Sequence, residues 1–267
     1  MPELPEVETI KRRLIKEIVN RRIKKIVIKD SRLIKGIPPK IFKKRVEGKK
    51  IQDISRRGKV LIIKLDKSLF LIFHLRISGW IIVGRGEERF SRLAFFLSDN
   101  KILHFCDQRV LGEIKLIDDW RKLPLIKRMG PELFDINKEA FVALFKERTT
   151  RVHPLLMNQE FIAGVGNIYA QEVLFLAGLH PGRKVSSLTK GELEKIYCFL
   201  NFVLKAAIRK KGSSVDTYRQ VDGHEGSYVS CLTVYQRQKQ PCVKCKTPIK
   251  RMVISGRGVC FCPRCQK

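Results

Sequence analysis

The chain has 267 residues, of which 44% are hydrophobic, so it is long enough for two domains with a small third and for a sizeable core. Lysine and arginine number 55 against 26 acids, a formal charge of +29 spread along the whole sequence. A surplus of that size points to a polyanion partner, most commonly nucleic acid, rather than to a solvated surface of mixed sign. No run approaches the roughly 18 uncharged apolar residues of a membrane span, and no apolar segment with a small-residue cleavage site opens the chain. The expectation is a soluble intracellular protein with no membrane association.

In chain order, Val7, Ile10, Leu14, Ile15 and Ile18 recur at helical spacing, with Pro5 where a first-turn proline is tolerated, which predicts an N-terminal helix from Pro5 to Val19. Beyond Asn20 the period shortens. "IKKIVIKD", "KVLIIKLD", "LFLIFHL", "RLAFFLSDNKILHFCD" and "GEIKLID" read as strands between turn residues, with "SDNK" as a hairpin turn. Residues 1–118 are therefore expected to form a mainly antiparallel β-sandwich carrying one N-terminal helix.

Strand signals stop in "DDWRKLPLIKRMGPELF", where Pro124, Gly130 and Pro131 mark a linker over 119–130. From 131 to 229 the pattern is helical, through "NKEAFVALFKER", "PLLMNQ", "NIYAQEVLFLAGL" and a long helix from Lys190 to Lys211. Thr189 with Glu192 forms its capping box and Gly212 its stop. The polar stretch "GSSVDTYRQVDGHEGSY" that follows has no periodicity, and a loop of that length is usually functional or mobile. The fold class is α+β, with residues 230–267 as a third segment.

That segment carries the strongest local signal. Cys242, Cys245, Cys262 and Cys265 have the spacing of two thiolate knuckles closing one tetrahedral Zn²⁺ site. Four cysteines leave no open coordination position, so one structural zinc is expected. Lys246, Lys250, Arg251 and Arg257 lie between the knuckles, which suits phosphate contact. The remaining cysteines, Cys106, Cys198, Cys231 and Cys260, sit mostly in apolar sequence and are expected reduced and buried or half-buried.

Two further stretches carry weaker signals. In "FIAGVGNIYAQEVLF" a glycine pair precedes a helix, which lets backbone amides approach a phosphate, though close helix packing explains the glycines equally well. At the terminus, removal of Met1 would expose the secondary amine of Pro2. An α-amine titrates at about 7.7–8.0, so part of it is nucleophilic at neutral pH. Glu3 beside it is placed to move protons. From these residue types alone, a helix-starting, capping segment is the simpler reading.

The combination is more specific than its parts. "MPELPEVET", "RRGK" at 56–59, "HLRISG" at 74–79, "DQRVLG" at 107–112, "GVGNIYA" at 164–170 and the terminal knuckles follow the order and spacing of formamidopyrimidine-DNA glycosylases, which this chain resembles over essentially its whole length. The resemblance implies a bifunctional glycosylase and AP lyase that excises oxidised purines, formamidopyrimidine and 8-oxoguanine, from double-stranded DNA carrying a damaged base or an AP site. It implies a monomer in a bacterial-type cytoplasm, associated with the nucleoid. By position it makes Pro2 the nucleophile and Glu3 the proton-transferring acid. Lys59 becomes the phosphate-contacting acid of an inter-strand loop and Arg257 the zinc-finger arginine tied to the second elimination. His74, Ile77, Arg109, Leu111 and Asn167 become DNA contacts, the residues between 131 and 229 a helix-two-turn-helix domain, and residues 230–267 a zinc finger.

The chain also departs from the family pattern. Where the family has "HLGMSG" and "DPRRFG", this chain has Arg76, Ile77, Val110 and Leu111, and His153 stands at a common lysine position. The rival readings are an endonuclease VIII-like enzyme for oxidised pyrimidines and a noncatalytic damaged-DNA-binding zinc protein.

Overall fold

The structure, a computed structural model, describes residues 1–215 and 217–267. The chain divides into two compact units, one of Met1–Lys127 with Ile208–Val229 and one of Arg128–Ala207 with Ser230–Lys267. Among the described residues no helix is long and apolar enough to cross a membrane.

In the first unit, helix α1 (Leu4–Ile18) opens with Pro5 in its first turn, where the missing N–H has no helical partner to lose. Its Leu4, Val7, Ile10, Leu14 and Ile18 are fully buried. Then come β1 (Ile23–Ile28), β2 (Ile34–Lys35), α2 (Pro39–Val46), β3 (Ile51–Arg57), β4 (Val60–Leu65), β5 (Phe70–His74), β6 (Gly79–Gly84), β7 (Ser91–Leu97), β8 (Ile102–Asp107), β9 (Glu113–Ile117) and the short α3 (Pro124–Lys127). The strands form a four-stranded sheet, β1-β7-β8-β6, and a five-stranded sheet, β2-β9-β5-β4-β3. All pairings are antiparallel except that of β2 with β9. One core joins the sheets: Phe73 of β5 meets Phe95 of β7 edge-on at 6.2 Å and Phe105 of β8 at 5.4 Å. The expected sandwich with its N-terminal helix is present.

Five elements escaped the strand and helix signals, among them the two-residue β2 and the four-residue α3, which are too short to show a period. β6 reads "GWIIVG", and its flanking glycines weaken its own propensity; pairing with β8 supplies the order. β3 is an edge strand laced with polar residues. α2 buries only Phe42 and Val46, one turn apart, too little for a periodic signal. The 212–228 stretch also differs from a free loop: Tyr218 and Val221 are 3% and 1% exposed in the sandwich core, and Val83 N–H donates to the Val221 carbonyl at 2.8 Å. Asp216, within it, lies outside the described residues.

The second unit contains α4 (Lys138–Ala143), α5 (Val152–Met157), α6 (Asn167–Ala177), most of α7 (Lys190–Arg209) and the hairpin β10 (Lys250–Ile254) and β11 (Arg257–Phe261). The α7 capping box is as expected, with Thr189 N–H donating to Glu192 Oε2 at 2.8 Å and Glu192 N–H to Thr189 Oγ1 at 3.3 Å. Cys106 and Cys260 are buried and Cys231 half-buried, but Cys198 is exposed. It falls off the buried α7 stripe of Leu193, Ile196, Leu200, Val203, Leu204 and Ala207.

Candidate active site and DNA-contacting residues

At the N-terminus Met1 is 37% exposed, whereas Pro2 is buried and Glu3 only 2% exposed. Glu6 organises this corner. Its Oε2 accepts the Glu3 backbone N–H at 2.8 Å, and its Oε1 accepts the Ser213 N–H at 2.8 Å, so one buried carboxylate ties the terminus to the segment returning after α7. Gly212 permits the approach: its φ is +86°, and a Cβ there would lie 2.9 Å from Glu6 Oε1. Tyr218 donates its hydroxyl to the Lys211 carbonyl, and burial, reinforced by the Glu6 charge, drives its pKa far above the usual phenol range.

Two residues further along α1, Glu8 bonds Lys11, Arg12 and, at 3.1 Å, Arg56 of β3. Burial pushes the Glu8 carboxyl upward, but the three cations outweigh it and hold the pKa below the usual range. The ion pair anchors α1 to the β3–β4 hairpin, whose turn is Gly58 and Lys59. Lys59 is only 6% exposed, and its charge reaches His74 opposite Val60.

His74 ends β5. Its Nδ1 accepts the Arg76 backbone N–H at 3.2 Å, which leaves the proton on Nε2. Burial, then the charges of Arg76, Lys59 and Lys115 working against Glu113, pull its pKa down to about 4, so the ring is neutral at pH 7. Arg76 itself pairs with Glu113 at 2.7 Å.

The 107–112 loop is built around Asp107, which is 0% exposed. Its Oδ1 accepts from Ser78 Oγ (2.6 Å), Arg109 N (3.0 Å) and Val110 N (3.0 Å), and its Oδ2 from Leu111 N (2.9 Å) and Gly112 N (2.6 Å). A Cβ on Gly112 would lie 2.6 Å from the Phe105 ring and 3.0 Å from the same carboxylate, so only glycine closes the loop. The cage turns the Arg109 and Leu111 side chains outward, and Ile77 stands out likewise: Leu111 and Ile77 are 40% and 45% exposed.

In the second unit α6 begins at Asn167 behind Gly166, whose lack of a side chain leaves the helix start without a side-chain cap. Asn167 Nδ2 donates to the Gly258 carbonyl at 3.3 Å, and its Oδ1 faces both Gln171 Nε2 (3.0 Å) and His153 Nε2 (3.1 Å). Arg257 opens β11 after the turn Ser255-Gly256, both with positive φ, the backbone of a tight two-residue hairpin, and its side chain is exposed. Glu172 fixes the approach to the finger, accepting Thr233 N and Oγ1 at Oε2 and Val234 N and Tyr235 N at Oε1.

The four cysteine sulfurs lie within 4.8 Å of one another, with Sγ separations of 3.9 Å (Cys242 and Cys265) and 3.4 Å (Cys245 and Cys262). Zn–S bonds of about 2.3 Å in a tetrahedron put sulfurs roughly 3.8 Å apart, so the donor set fits one zinc ion. A hydrogen bond from Thr247 brings the Cys245 thiol down to about 6, whereas burial pushes the Cys262 and Cys265 thiols up, so a bound metal would have to displace those protons.

Residues 1–114 match the sequence profile of the formamidopyrimidine-DNA glycosylase N-terminal domain, 129–219 that of the H2TH domain of the same enzymes, and 239–267 the zinc finger found in FPG and IleRS. The chain is 39% identical over 269 residues to the formamidopyrimidine-DNA glycosylase of Solibacter usitatus, covering all of both. It belongs to the formamidopyrimidine-DNA glycosylase family. The enzyme of Symbiobacterium thermophilum is 37% identical over 273 residues, covering 100% of this chain and 89% of that one. Among solved structures, the MutM (Fpg) protein of Thermus thermophilus superposes with TM-score 0.89 at 36% identity, covering 99% of this chain and 98% of that one. A Lactococcus lactis FPG variant bound to Fapy-dG-containing DNA gives 0.92 at 34%, covering 100% of each. The L. lactis Fpg bound to DNA with an abasic site gives 0.91 at 34%, covering 99% of each. A zinc finger is part of this family's fold, and the four-cysteine cluster supplies its ligands, as the C-terminal cysteine spacing predicts.

Sequence reading named candidates both buried (Pro2, Glu3, Lys59) and exposed (Ile77, Arg109, Leu111, Arg257), and missed the acids that hold their segments. Glu6, Asp107 and Glu172 accept almost entirely from backbone N–H groups, which no residue type marks. Glu6 and Asp107 do have local signatures: Glu6 is the third residue of α1 and accepts the N–H of Glu3, which caps that helix, and Asp107 ends a strand four and five residues before the N–H groups of Leu111 and Gly112.

Proposed function

We propose that the protein is a DNA glycosylase with AP-lyase activity that starts base excision repair at oxidised purines, formamidopyrimidine and 8-oxoguanine. The observation that carries this reading is the full-length likeness to formamidopyrimidine-DNA glycosylases combined with a buried Pro2-Glu3 terminus held by Glu6. Once Met1 is removed, the Pro2 amine attacks C1′ of the damaged nucleotide and the base leaves with a proton. The resulting iminium draws electrons from C2′, so loss of a C2′ proton breaks the 3′ C–O bond and a second elimination breaks the 5′ one. Water then hydrolyses the Schiff base and frees Pro2. Glu3 moves the protons at the sugar, Lys59 serves a phosphate and the acid step, and Arg257 serves the second elimination.

Flipping the nucleotide costs a few kcal/mol of unstacking, which apolar wedges and cationic phosphate contacts offset. Ile77 and Leu111 are the exposed apolar candidates and Arg109 the cation that faces the orphaned base, with His74 and Asn167 on the backbone. The functional division we adopt is 1–118 for chemistry, 119–130 as linker, 131–229 for the helix-two-turn-helix and 230–267 for the zinc finger. The enzyme works as a monomer on double-stranded DNA, in a bacterial-type cytoplasm at the nucleoid.

Borohydride trapping on AP-site DNA tests the chemistry: Met1-free protein is expected to give a covalent adduct and Pro2-blocked protein none. No adduct from the processed protein overturns the enzyme reading in favour of a noncatalytic damage-binding protein. On a duplex panel with formamidopyrimidine, 8-oxoguanine and thymine glycol, faster excision of thymine glycol would replace the purine assignment with an endonuclease VIII-like one.

A further inference from the structure

The amide network around Asn167 fixes one protonation state at His153. Cys260 N–H donates to Gln171 Oε1 at 2.7 Å, so Gln171 Nε2 is the donor end of that side chain. Gln171 Nε2 lies 3.0 Å from Asn167 Oδ1 and 3.3 Å from the Gly258 carbonyl, which makes Oδ1 an acceptor and puts Asn167 Nδ2 toward Gly258. His153 Nε2, 3.1 Å from the same Oδ1, must therefore carry a proton. The ring is 1% exposed, and its Nδ1 has no hydrogen-bond partner among the described residues. Burial, together with the Arg257 charge, brings its pKa down to about 4, so the ring is neutral at physiological pH. A buried imidazole with one nitrogen unsatisfied destabilises the fold, and such a group is normally explained by a function.

We propose that His153 is a positioning residue: its Nε2–H locks the Asn167 side-chain amide in the one orientation that offers the second Nδ2–H to a DNA phosphate. The proposal rests on the reading that Asn167 contacts DNA. Without the His153 bond, Oδ1 keeps only the Gln171 donor, and rotation of the amide is opposed by one bond fewer. The neutral ring holds Asn167 with a single directed bond. The consequence falls on binding of the duplex, not on the bond-breaking steps at Pro2.

The test uses the full-length, zinc-loaded protein and a duplex with a tetrahydrofuran abasic analogue for affinity, and an 8-oxoguanine duplex for KM and the saturating single-turnover rate. His153→Leu is expected to raise Kd and KM about tenfold, the scale of one lost hydrogen bond, with the saturating rate changed less than threefold. His153→Gln places an amide N–H near the Nε2 position and is expected to restore binding to within about threefold. Asn167→Ala is expected to weaken binding, and adding His153→Leu to it to change Kd less than twofold. Wild-type binding by His153→Leu while Asn167→Ala is impaired overturns the His153 proposal alone. Asn167→Ala at wild-type affinity overturns the reading of Asn167 as a DNA contact. Multiplying losses in the double variant, or no rescue by His153→Gln when that variant keeps its zinc and melting temperature, also overturns the proposal.

Discussion

Asp107→Asn perturbs the loop that carries Arg109 and Leu111 while keeping the size of the side chain at its centre. The carboxylate takes five donors, three on Oδ1 and two on Oδ2. An asparagine keeps one oxygen, so its NH₂ must replace an acceptor that serves at least two N–H groups, Leu111 and Gly112 in the milder orientation. Hydrogen bonds to a charged group contribute about 1.5–3 kcal/mol each, so the two lost bonds come to roughly 3–6 kcal/mol. Part of this returns, because a buried charge no longer has to be desolvated and because the exposed loop can open locally. We expect a net loss of about 2–4 kcal/mol.

Both tryptophans, Trp80 and Trp120, lie in the first unit, so urea unfolding followed by their fluorescence reports on that unit. Amide exchange at Arg109 to Gly112 reports on the loop itself. The expected result is faster exchange there, lower stability and weaker binding of lesion DNA. Stability within about 0.5 kcal/mol of wild type and unchanged exchange at Leu111 and Gly112 would refute the claim that the carboxylate holds the loop.

His153 has a folded pKa of about 4 against about 6.5 when unfolded, so the unfolded chain takes up the proton first as pH falls. Its contribution is complete above pH 6.5 and declines by about 1.4 kcal/mol per unit toward pH 4; amide exchange in α6 from pH 7.5 to 4.5 should show this slope, and His153→Gln should lack it. Chelation or Cys245→Ser should release one zinc per chain and deprotect the β10–β11 amides, and protection that survives metal loss would contradict a structural role. Leu111→Ala, at a site 40% exposed, should leave stability within about 0.5 kcal/mol yet weaken lesion-DNA binding several-fold; equal affinity would remove Leu111 as a wedge.

What the sequence made legible was what is encoded within a few residues. The two cysteine knuckles, the Thr189 and Glu192 capping box and the Pro5 helix start are local rules with local residues, and each is found where it was expected. Less legible was whatever depends on a distant partner. Tyr218 and Val221 sit in a polar, aperiodic stretch, and only the sandwich core they enter explains their burial. Arg56 reads as one more cation until Glu8 is seen beside it. His153 reads as a substituted lysine; that it must donate from Nε2 follows only from a chain of amide orientations ending at Cys260, more than a hundred residues away in sequence.

Glu6, Asp107 and Glu172 show why a chain with a charge of +29 keeps acids in its interior. Each sits on a rigid element, respectively α1, the end of β8 and α6, and each accepts backbone N–H groups from a segment with no regular hydrogen-bond ladder of its own. A surface lysine or arginine that acts only through its charge works through water and salt, so replacing one such residue changes DNA affinity by a modest, salt-dependent factor. A buried carboxylate with two to five donors has no such redundancy, because every donor left behind is a desolvated N–H without an acceptor. Sensitivity to substitution should therefore run opposite to abundance, with the few interior acids more critical than the many surface cations whose segments they hold in place.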